Sequence, residues 1–583
     1  MFKLRAHTLL RSAKPPSSGR IRSLSQFLPP ENSDHPPGAE SLLSCTVWRW
    51  LNNEATQRSL RRLDFNMQAL CDAGAKAVGA TECETITLLG EGGMDRLFSL
   101  YMNNGVEVVA RLPFPIAGPQ HLMTRSEVAT MDFLRTRFNA LVPKVLAWQA
   151  SKDNPVGCEY VIMERCPGEV LAFQEGGAPR ALLAEVSDLQ IKLAAVPFSQ
   201  YGSIYYKEDV SPNLQSRPFY AEGFPEDECS ERFRIGPSVE RRFYRSERAH
   251  MRTDRGPWRD VSSYIRAIAT CEMNWIRSCA DTPQGRMQLG HHHTPAQHIS
   301  ALEKWLRLAP AILPREPEFH APTLFHPDLH PANIMPTVTV HPPSPIALSG
   351  IIDWQGVAIR PLFEAIMPSA FEVTSSDLKY LDLTRDFEDP HMPDADNLNA
   401  AKNSLVESEL KRVWVMYKFL ASIKEARPAL YTAMRDPSMD LLRQAIYFSS
   451  HSWSDGLPNL ERVLMIFCEV YGDGLNHPTH PDYPECPISF SQKDKERIEQ
   501  EFETVVGLEM RLEGILQNLL ARVNIKLHPD GRVLAEDFEA AQKEAMYIRA
   551  DMERLADDCA KGVLKRIWPL REGKFVTSAE SCI

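Results

Sequence analysis

The sequence predicts an α+β chain of two lobes, a small antiparallel-sheet N-lobe and a mostly helical C-lobe, with a C-terminal helical extension. Three observations predict this. Residues 85–111 hold three short β-branched and aromatic runs separated by Gly-rich and Asn-Gly turns. Beyond Cys166 the pattern turns mostly helical. From about Ser491 to Ile567 the chain is charged, with Ile498, Phe502, Val505, Leu508, Leu512, Ile515, Leu516 and Leu519 on one broad helical face.

Composition narrows the function. The 583 residues are 43% hydrophobic and 24% charged, which excludes wholesale disorder. Sixty-five Lys and Arg against 76 Asp and Glu give a net charge of −11, so no nucleic-acid partner is expected. No apolar run approaches the roughly 18–20 residues of a bilayer-crossing helix, so no membrane span is expected. The 12 cysteines include no C-x-x-C pair, and the chain has no N-x-S/T sequon. They read as buried or free thiols of a reducing compartment.

In chain order, Lys3, Arg5, Arg11, Lys14, Arg20 and Arg22 precede the first acid, Glu31, with Ser12, Ser17, Ser18, Ser23 and Ser25 between them. Basic, Ser-rich and acid-free, with Phe2, Leu9 and Ala13 at helical spacing, this segment reads as a mitochondrial presequence. A disordered basic tail has the same composition. Pro29–Gly38 reads as a linker. Val47 to Ala75 carries a helical pattern with Trp48, Leu51, Leu60, Leu63 and Leu70. Thr85–Leu89, Arg96–Tyr101 and Val106–Arg111 then form a meander, with Gly90-Glu91-Gly92-Gly93 at its first turn and Asn103-Asn104-Gly105 at its second. A helix follows over Thr124–Arg137, and strands over Val145–Trp148 and Glu159–Glu164. A polar, aromatic-rich insertion spans Ser203–Pro257. Ala332–Trp354 reads as a β-hairpin, and long helices resume near Ser404. The expected units are 1–40, presequence and linker; 41–165, N-lobe with a preceding helix; 166–490, C-lobe; and 491–583, the extension.

The chemistry concentrates in Phe325-His326-Pro327-Asp328-Leu329-His330-Pro331-Ala332-Asn333-Ile334, followed by Ile351-Ile352-Asp353-Trp354. Asp328 stands five residues before Asn333, and Asp353 twenty after it. This is the spacing of a kinase catalytic loop and its separate metal-binding Asp. Phosphoryl transfer gathers negative charge, so Mg²⁺ must bridge the phosphates. Asn333 offers a hard carbonyl oxygen and Asp353 a carboxylate, and Asp328 is placed to take the proton of an attacking hydroxyl. Upstream, the backbone N–H groups around Gly90, Gly92 and Gly93 suit phosphates. Arg111 stands at the position of the phosphate-binding cation, with Glu127 as its helical partner. Glu164 ends the strand that would receive adenine. The cofactors expected are ATP and Mg²⁺. His326 reads as a structural ligand of the loop backbone. His330 reads as a solvated or core histidine, and His291-His292-His293 with His298 as a loop.

These motifs resemble the aminoglycoside phosphotransferase family, kin to choline and fructosamine kinases. Leu88-Leu89-Gly90-Glu91-Gly92-Gly93, Val109-Ala110-Arg111-Leu112-Pro113, Ser126–Met131, Val156–Glu164, Gly202–Tyr206 and Ile235–Ser238 are similar to its fungal branch, related to altered inheritance of mitochondria protein 9. The resemblance covers about residues 45–475. It implies a protein-kinase-like fold, a mitochondrial location and transfer of phosphate to a hydroxyl of a small molecule. It departs from the family at two positions. The phosphate-binding cation is Arg111 rather than Lys. Glu364 follows Pro361 where the family carries Asp. Two other readings stay open. One is a kinase-like nucleotide-binding regulatory protein with little or no catalysis, involved in mitochondrial maintenance. The other is a protein kinase, against which stand the short Gln355–Pro361 link and the lack of an A-P-E motif. The C-terminal helices read as a solvated face over the second lobe or as a surface for a protein partner.

Overall fold

The computed structural model describes residues 42–167, 180–282, 285, 293–337, 347–373, 400–471, 482, 485–528, 530–555 and 570. The presequence and linker, His291 with His292, the His341–Pro345 connection and residues 556–567 lie outside them.

The chain enters through a three-residue strand, β1 (Trp48–Trp50), and two helices, α1 (Glu54–Leu60) and α2 (Met67–Ala77). The single helical pattern expected over Val47–Ala75 is therefore corrected at its start. Trp48 and Trp50 face inward as strand residues, at 6% and 1% exposure. The meander follows as β2 (Cys83–Glu91), β3 (Asp95–Met102) and β4 (Glu107–Pro113), then α3 (Leu122–Phe138), β5 (Val145–Gln149) and β6 (Tyr160–Glu164). They form one antiparallel sheet of order β2-β3-β4-β6-β5. Gly105, at φ 83°, closes the second turn, where glycine carries no steric cost. Both faces of the sheet are covered. Phe98, Leu100, Val108, Ala110 and Ile162 pack on Leu70 of α2, while Val109, Val161 and Met163 join the main core beside α3. Two-sided burial explains why these strands read as near-continuous apolar runs.

The C-lobe begins with α4 (Arg180–Leu193). The insertion then folds as the antiparallel pair β7 (Ser203–Tyr206) and β8 (Phe233–Gly236) with short helical turns. Next come α5 (Val261–Cys279) and α6 (Pro295–Ile312), and four short strands: β9 (Pro322–Phe325), β10 (Ile334–Thr337), β11 (Ala347–Ile351) and β12 (Ala358–Pro361). β10 pairs with β11, as the expected hairpin requires. The β9–β12 pair went unforeseen. Four helices complete the lobe: α7 (Ala400–Ala426), α8 (Pro428–Arg435), α9 (Pro437–Asp455) and α10 (Leu457–Val470). The architecture is α+β, two-lobed and kinase-like.

The insertion is tied to the site region rather than free. Tyr206 donates to Asp132 of α3 at 2.8 Å, and Ser203 Oγ to the Val357 carbonyl at 3.1 Å. Gly202 exchanges backbone bonds with Ile359 of β12 at 3.1 and 2.7 Å.

The extension is not a helical face over the second lobe alone. It comprises α11 (Gln492–Glu501), a π-helical turn over Phe502–Val506, α12 (Gly507–Arg522), β13 (Arg532–Leu534) and α13 (Phe538–Leu555). β13 interrupts the expected helix and pairs antiparallel with β1 of the N-lobe. Ile515 of the expected apolar face is 42% exposed, whereas Leu516 and Leu520 are buried beneath α13. None of the described helices is long and apolar enough to cross a membrane. All ten described cysteines are free thiols.

Gly202 sits at φ 153°, and a Cβ there would lie 2.3 Å from the Gly236 carbonyl oxygen. Gly202→Ala is expected to cost about 1–3 kcal/mol by forcing β8 away from β7. Thermal or urea unfolding of the purified variant checks this, and an unchanged midpoint would contradict it.

Candidate active site

The loop after β9 is fixed by two histidines and an asparagine. His326 is 6% exposed. Its Nδ1 accepts from the Asp328 N–H at 3.1 Å, so its Nε2–H donates to the Ile352 carbonyl at 3.1 Å. Burial pushes its pKa down to about 4. The ring is therefore neutral at physiological pH, as an accepting Nδ1 requires. It lies edge-on to Trp354 at 4.7 Å. Asn333 is buried and donates through Nδ2 to the Asp328 carbonyl at 2.8 Å. Its Oδ1 is left as a hard oxygen donor. His330 Nδ1 accepts from Ala332 N–H at 3.1 Å, which leaves Nε2 facing the Asp328 carboxylate at 3.5 Å. His330 thus borders the expected base instead of being a solvated or core ring. The Asp328 carboxylate itself is 30% exposed, open to an incoming group.

Asp353 follows β11 in the left-handed region, at φ 64°. Asp tolerates that conformation better than most residues, and functional sites are where it recurs. Its Oδ1 is enclosed and has no hydrogen-bond partner among the described residues. Enclosure pushes its pKa up to about 7; the nearby charges of Asp95 and Asp328 add to the rise, and Arg111 opposes it. An enclosed, unpartnered carboxylate oxygen among other carboxylates is the electrostatic setting a divalent cation relieves. The Asp353 carboxylate and the Asn333 carbonyl are both hard oxygen donors, so the residues present fit Mg²⁺.

Arg111, 3% exposed on β4, holds the N-lobe side of the site. Its Nη2 pairs with Glu127 of α3, itself 2% exposed. Its Nη1 donates to Asp95 Oδ2 at 3.1 Å and to Gln355 Oε1 at 3.0 Å. Its Nε–H has no partner among the described residues. The guanidinium fork serves partners in three directions, from β3, from α3 and from the segment after Asp353, which a point-charge ammonium does less well. Asp95 and Gln355 escaped the sequence reading. The register held a signal for Asp95: Leu97 lies opposite Arg111, so Asp95 shares its face one step along the diagonal.

The Gly-rich turn serves the same cation. Gly90 lies opposite Leu97 after a register shift, one residue before β2 ends at Glu91. The Gly92 N–H bonds the Asp95 carbonyl at 3.0 Å. A Cβ on Gly92 would sit 2.8 Å from Asp95 Oδ1, so glycine makes room for the carboxylate that holds Arg111. The Gly93 carbonyl accepts from Arg61 Nε at 3.0 Å.

Two other positions point elsewhere. Glu164 is paired with Lys144: its N–H donates to the Lys144 carbonyl at 2.9 Å, and its carboxylate accepts from the Lys144 N–H at 3.2 Å. Its side chain is exposed at the end of β6, where Glu164 lies opposite Val108 and three residues beyond Val161, the partner of Arg111. Glu364 faces Arg360 at 3.5 Å and Arg242 at 3.7 Å, joining the insertion to β12. Burial pushes its pKa up against those two arginines. The loop is supported instead by His326 and Asn333. His293 meets Glu501 at 3.3 Å, and His298, within α6 rather than the expected loop, packs tilted on Trp453 at 4.9 Å.

A kinase-like fold with Asp328, Asn333 and Asp353 below and Arg111–Glu127 above defines the class. Residues 86–367, just under half of the chain, match the model of the phosphotransferase enzyme family. The match runs from β2 past Asp353 and leaves the extension outside. Among curated proteins, a subtelomeric hrmA-associated cluster protein of Aspergillus fumigatus is 28% identical over 531 residues, 84% of this chain and 97% of that protein. Altered inheritance of mitochondria protein 9, mitochondrial, of Yarrowia lipolytica is 29% identical over 57% of this chain and 60% of its own length. That of Saccharomyces cerevisiae is 25% identical over 71% and 69%. Among solved structures, the chain is similar to a thermostable aminoglycoside phosphotransferase mutant in complex with ADP and hygromycin B. The TM-score is 0.31 at 16% identity, over 67% of this chain and 95% of that one. A putative fructosamine-3-kinase of Thermobifida fusca follows at a TM-score of 0.28 and 14% identity, over 67% and 95%.

The raised Asp353 pKa has a definite sign. Its ordinary value is 3.8 and its folded value about 7. Between those limits the unfolded chain ionises this group and the folded chain does not. Stability from this group is therefore lost as pH rises from about 4 to about 7 in metal-free protein. Mg²⁺ binding must expel the proton, so its affinity falls up to roughly tenfold per pH unit below that value. Melting curves with and without Mg²⁺ should show a larger metal-induced rise at pH 8 than at pH 6, absent in Asp353→Asn. Equal rises would contradict the assignment.

Proposed function

We propose that the chain is an ATP- and Mg²⁺-dependent phosphotransferase acting on a hydroxyl of a small molecule. The observation that carries this reading is the enclosed, unpartnered Asp353 carboxylate oxygen beside Asp328, Asn333 and the Arg111 cation. Asp353 and Asn333 would hold Mg²⁺, which neutralises phosphate charge when bound. Asp328 orients the acceptor hydroxyl and takes its proton, from a backbone fixed by His326 and Asn333. The acceptor oxygen forms its bond to the γ-phosphorus as the bond to the β–γ bridging oxygen breaks, and ADP leaves. Arg111 keeps β3, β4, α3 and the Asp353 segment in register. The insertion and the C-lobe helices are the surfaces nearest to hand for the acceptor.

Location in the mitochondrion is part of the proposal. Relatives from Yarrowia, Saccharomyces and Candida are named mitochondrial, and the N-terminal composition suits a presequence. A reporter fused to residues 1–45 should enter mitochondria, and a diffuse cytosolic signal would remove the claim.

A second reading, nucleotide binding with little turnover in mitochondrial maintenance, is favoured by one observation: both Arg111 terminal nitrogens are already engaged by side chains. Asp328→Ala separates the two. Phosphotransfer predicts a loss of about 10²–10⁴-fold in turnover on a metabolite pool with Mg²⁺·ATP binding retained. Unchanged turnover would overturn the role of Asp328. Binding without turnover in the unmodified chain would select the second reading.

A further inference from the structure

The C-terminal extension lies outside the matched domain, yet it reaches the Gly-rich turn. It is anchored at both lobes. On the C-lobe, Arg497 of α11 makes two bonds to Glu461 of α10, at 2.9 and 3.1 Å, and Ile498 is fully buried. On the N-lobe, β13 pairs with β1, and Leu51 N–H bonds the Gly531 carbonyl at 2.9 Å. The chain turns into β13 at Gly531, φ 82°, which brings Asp530 inward.

There Asp530 and Arg61 form a buried pair. Asp530 Oδ2 lies 4.0 Å from Arg61 Nη2, and neither side chain is exposed. Arg61 lies over the Trp50 ring at 4.5 Å, and its Nε donates to the Gly93 carbonyl at 3.0 Å. A second tie runs alongside: Trp48 Nε1 donates to the Glu91 carbonyl at 2.9 Å. Both carbonyls flanking Gly92 are thus held from outside the turn. A trans peptide keeps its N–H opposite its C=O. Holding the Gly93 carbonyl therefore fixes the direction of the Met94 N–H, which has no partner among the described residues.

We infer that Arg61 and Asp530 are positioning residues of the nucleotide site. The extension sets the Gly93–Met94 peptide so that its N–H is offered to a nucleotide phosphate. Asp530 supplies the buried countercharge beside the Arg61 guanidinium, whose Nη1 is held by the Gln57 carbonyl and side chain, and Arg61 turns the peptide. The phosphate role rests on the phosphotransferase reading; the turning of the peptide does not.

The test uses the full chain. Asp530→Asn keeps the shape of the side chain and removes its charge. Arg61→Lys keeps the charge beside Asp530 and removes the Nε donor, so it serves if the first variant folds poorly. Each is expected to raise KM for Mg²⁺·ATP about tenfold with kcat within about twofold, and to speed hydrogen exchange at Gly93–Asp95 in ligand-free protein. Asp530→Glu is expected to restore both. A KM at the level of the unmodified chain in a folded variant would overturn the inference. If the unmodified chain binds no Mg²⁺·ATP, the phosphotransferase reading fails on its own. Exchange then decides: unaltered protection at Gly93–Asp95 in Asp530→Asn overturns the positioning role, and faster exchange upholds it.

Discussion

The buried Arg111 cation is the constraint around which the site is built. Taking a guanidinium out of water costs several kcal/mol unless charged and polar partners replace the solvent. Asp95, Glu127 and Gln355 do so. They come from β3, from α3 and from the segment beyond Asp353, so one side chain joins strand, helix and metal-side loop. A slip of the β3–β4 register by one residue would turn Asp95 to the other face and leave the cation with one fewer carboxylate. Register, helix placement and lobe contact are thus parts of one electrostatic problem. Gly92 belongs to its solution, because a side chain there would collide with Asp95.

Much of this was legible in the sequence, and for local reasons. The Asn-Gly turn, the apolar strands and the Asp328–Asn333–Asp353 spacing are encoded within a few dozen residues. What escaped is what requires distant chain. β1 is three residues long and pairs with residues 532–534 near the other end of the protein. Trp48 and Trp50 fit a helical pattern as well as a strand, and no local signal separates the two. β9 and β12, four residues each, flank the catalytic segment, so the hairpin between them drew attention first. Asp95 was hidden for a subtler reason. Its role depends on a cross-strand diagonal, which has meaning only once the register is known.

The extension changes how the lobes are related. A kinase-like fold usually leaves its two lobes joined by the hinge strand and free to close. Here α11 grips α10 and β13 grips β1. The cluster of Leu516, Leu520, Val533, Phe538 and Ala541 makes the connecting segment a small core of its own. Such a strap limits the range of lobe opening, since movement must break a strand pair or a partly buried carboxylate–arginine contact. The end of the strap meets the N-lobe at the Gly-rich turn, the part of the lobe closest to the expected phosphates.

The charge balance of the cleft sets an order on binding. Asp95 and Glu127 pair with the buried Arg111, and Asp353 feels Arg111 together with the like charges of Asp95 and Asp328. A bare polyphosphate approaching this group meets net repulsion in a poorly solvated space. Enclosure, reinforced by the neighbouring carboxylates, already keeps a proton on Asp353 up to about pH 7. A divalent cation answers them better, because it supplies two charges at the carboxylate that carries the enclosed oxygen. On the proposed phosphotransferase reading, the cleft would favour a metal-complexed nucleotide over the free anion. An Arg at the expected phosphate-binding position is compatible with the proposed division of labour: the cation holds the lobe together, and the metal would meet the phosphates.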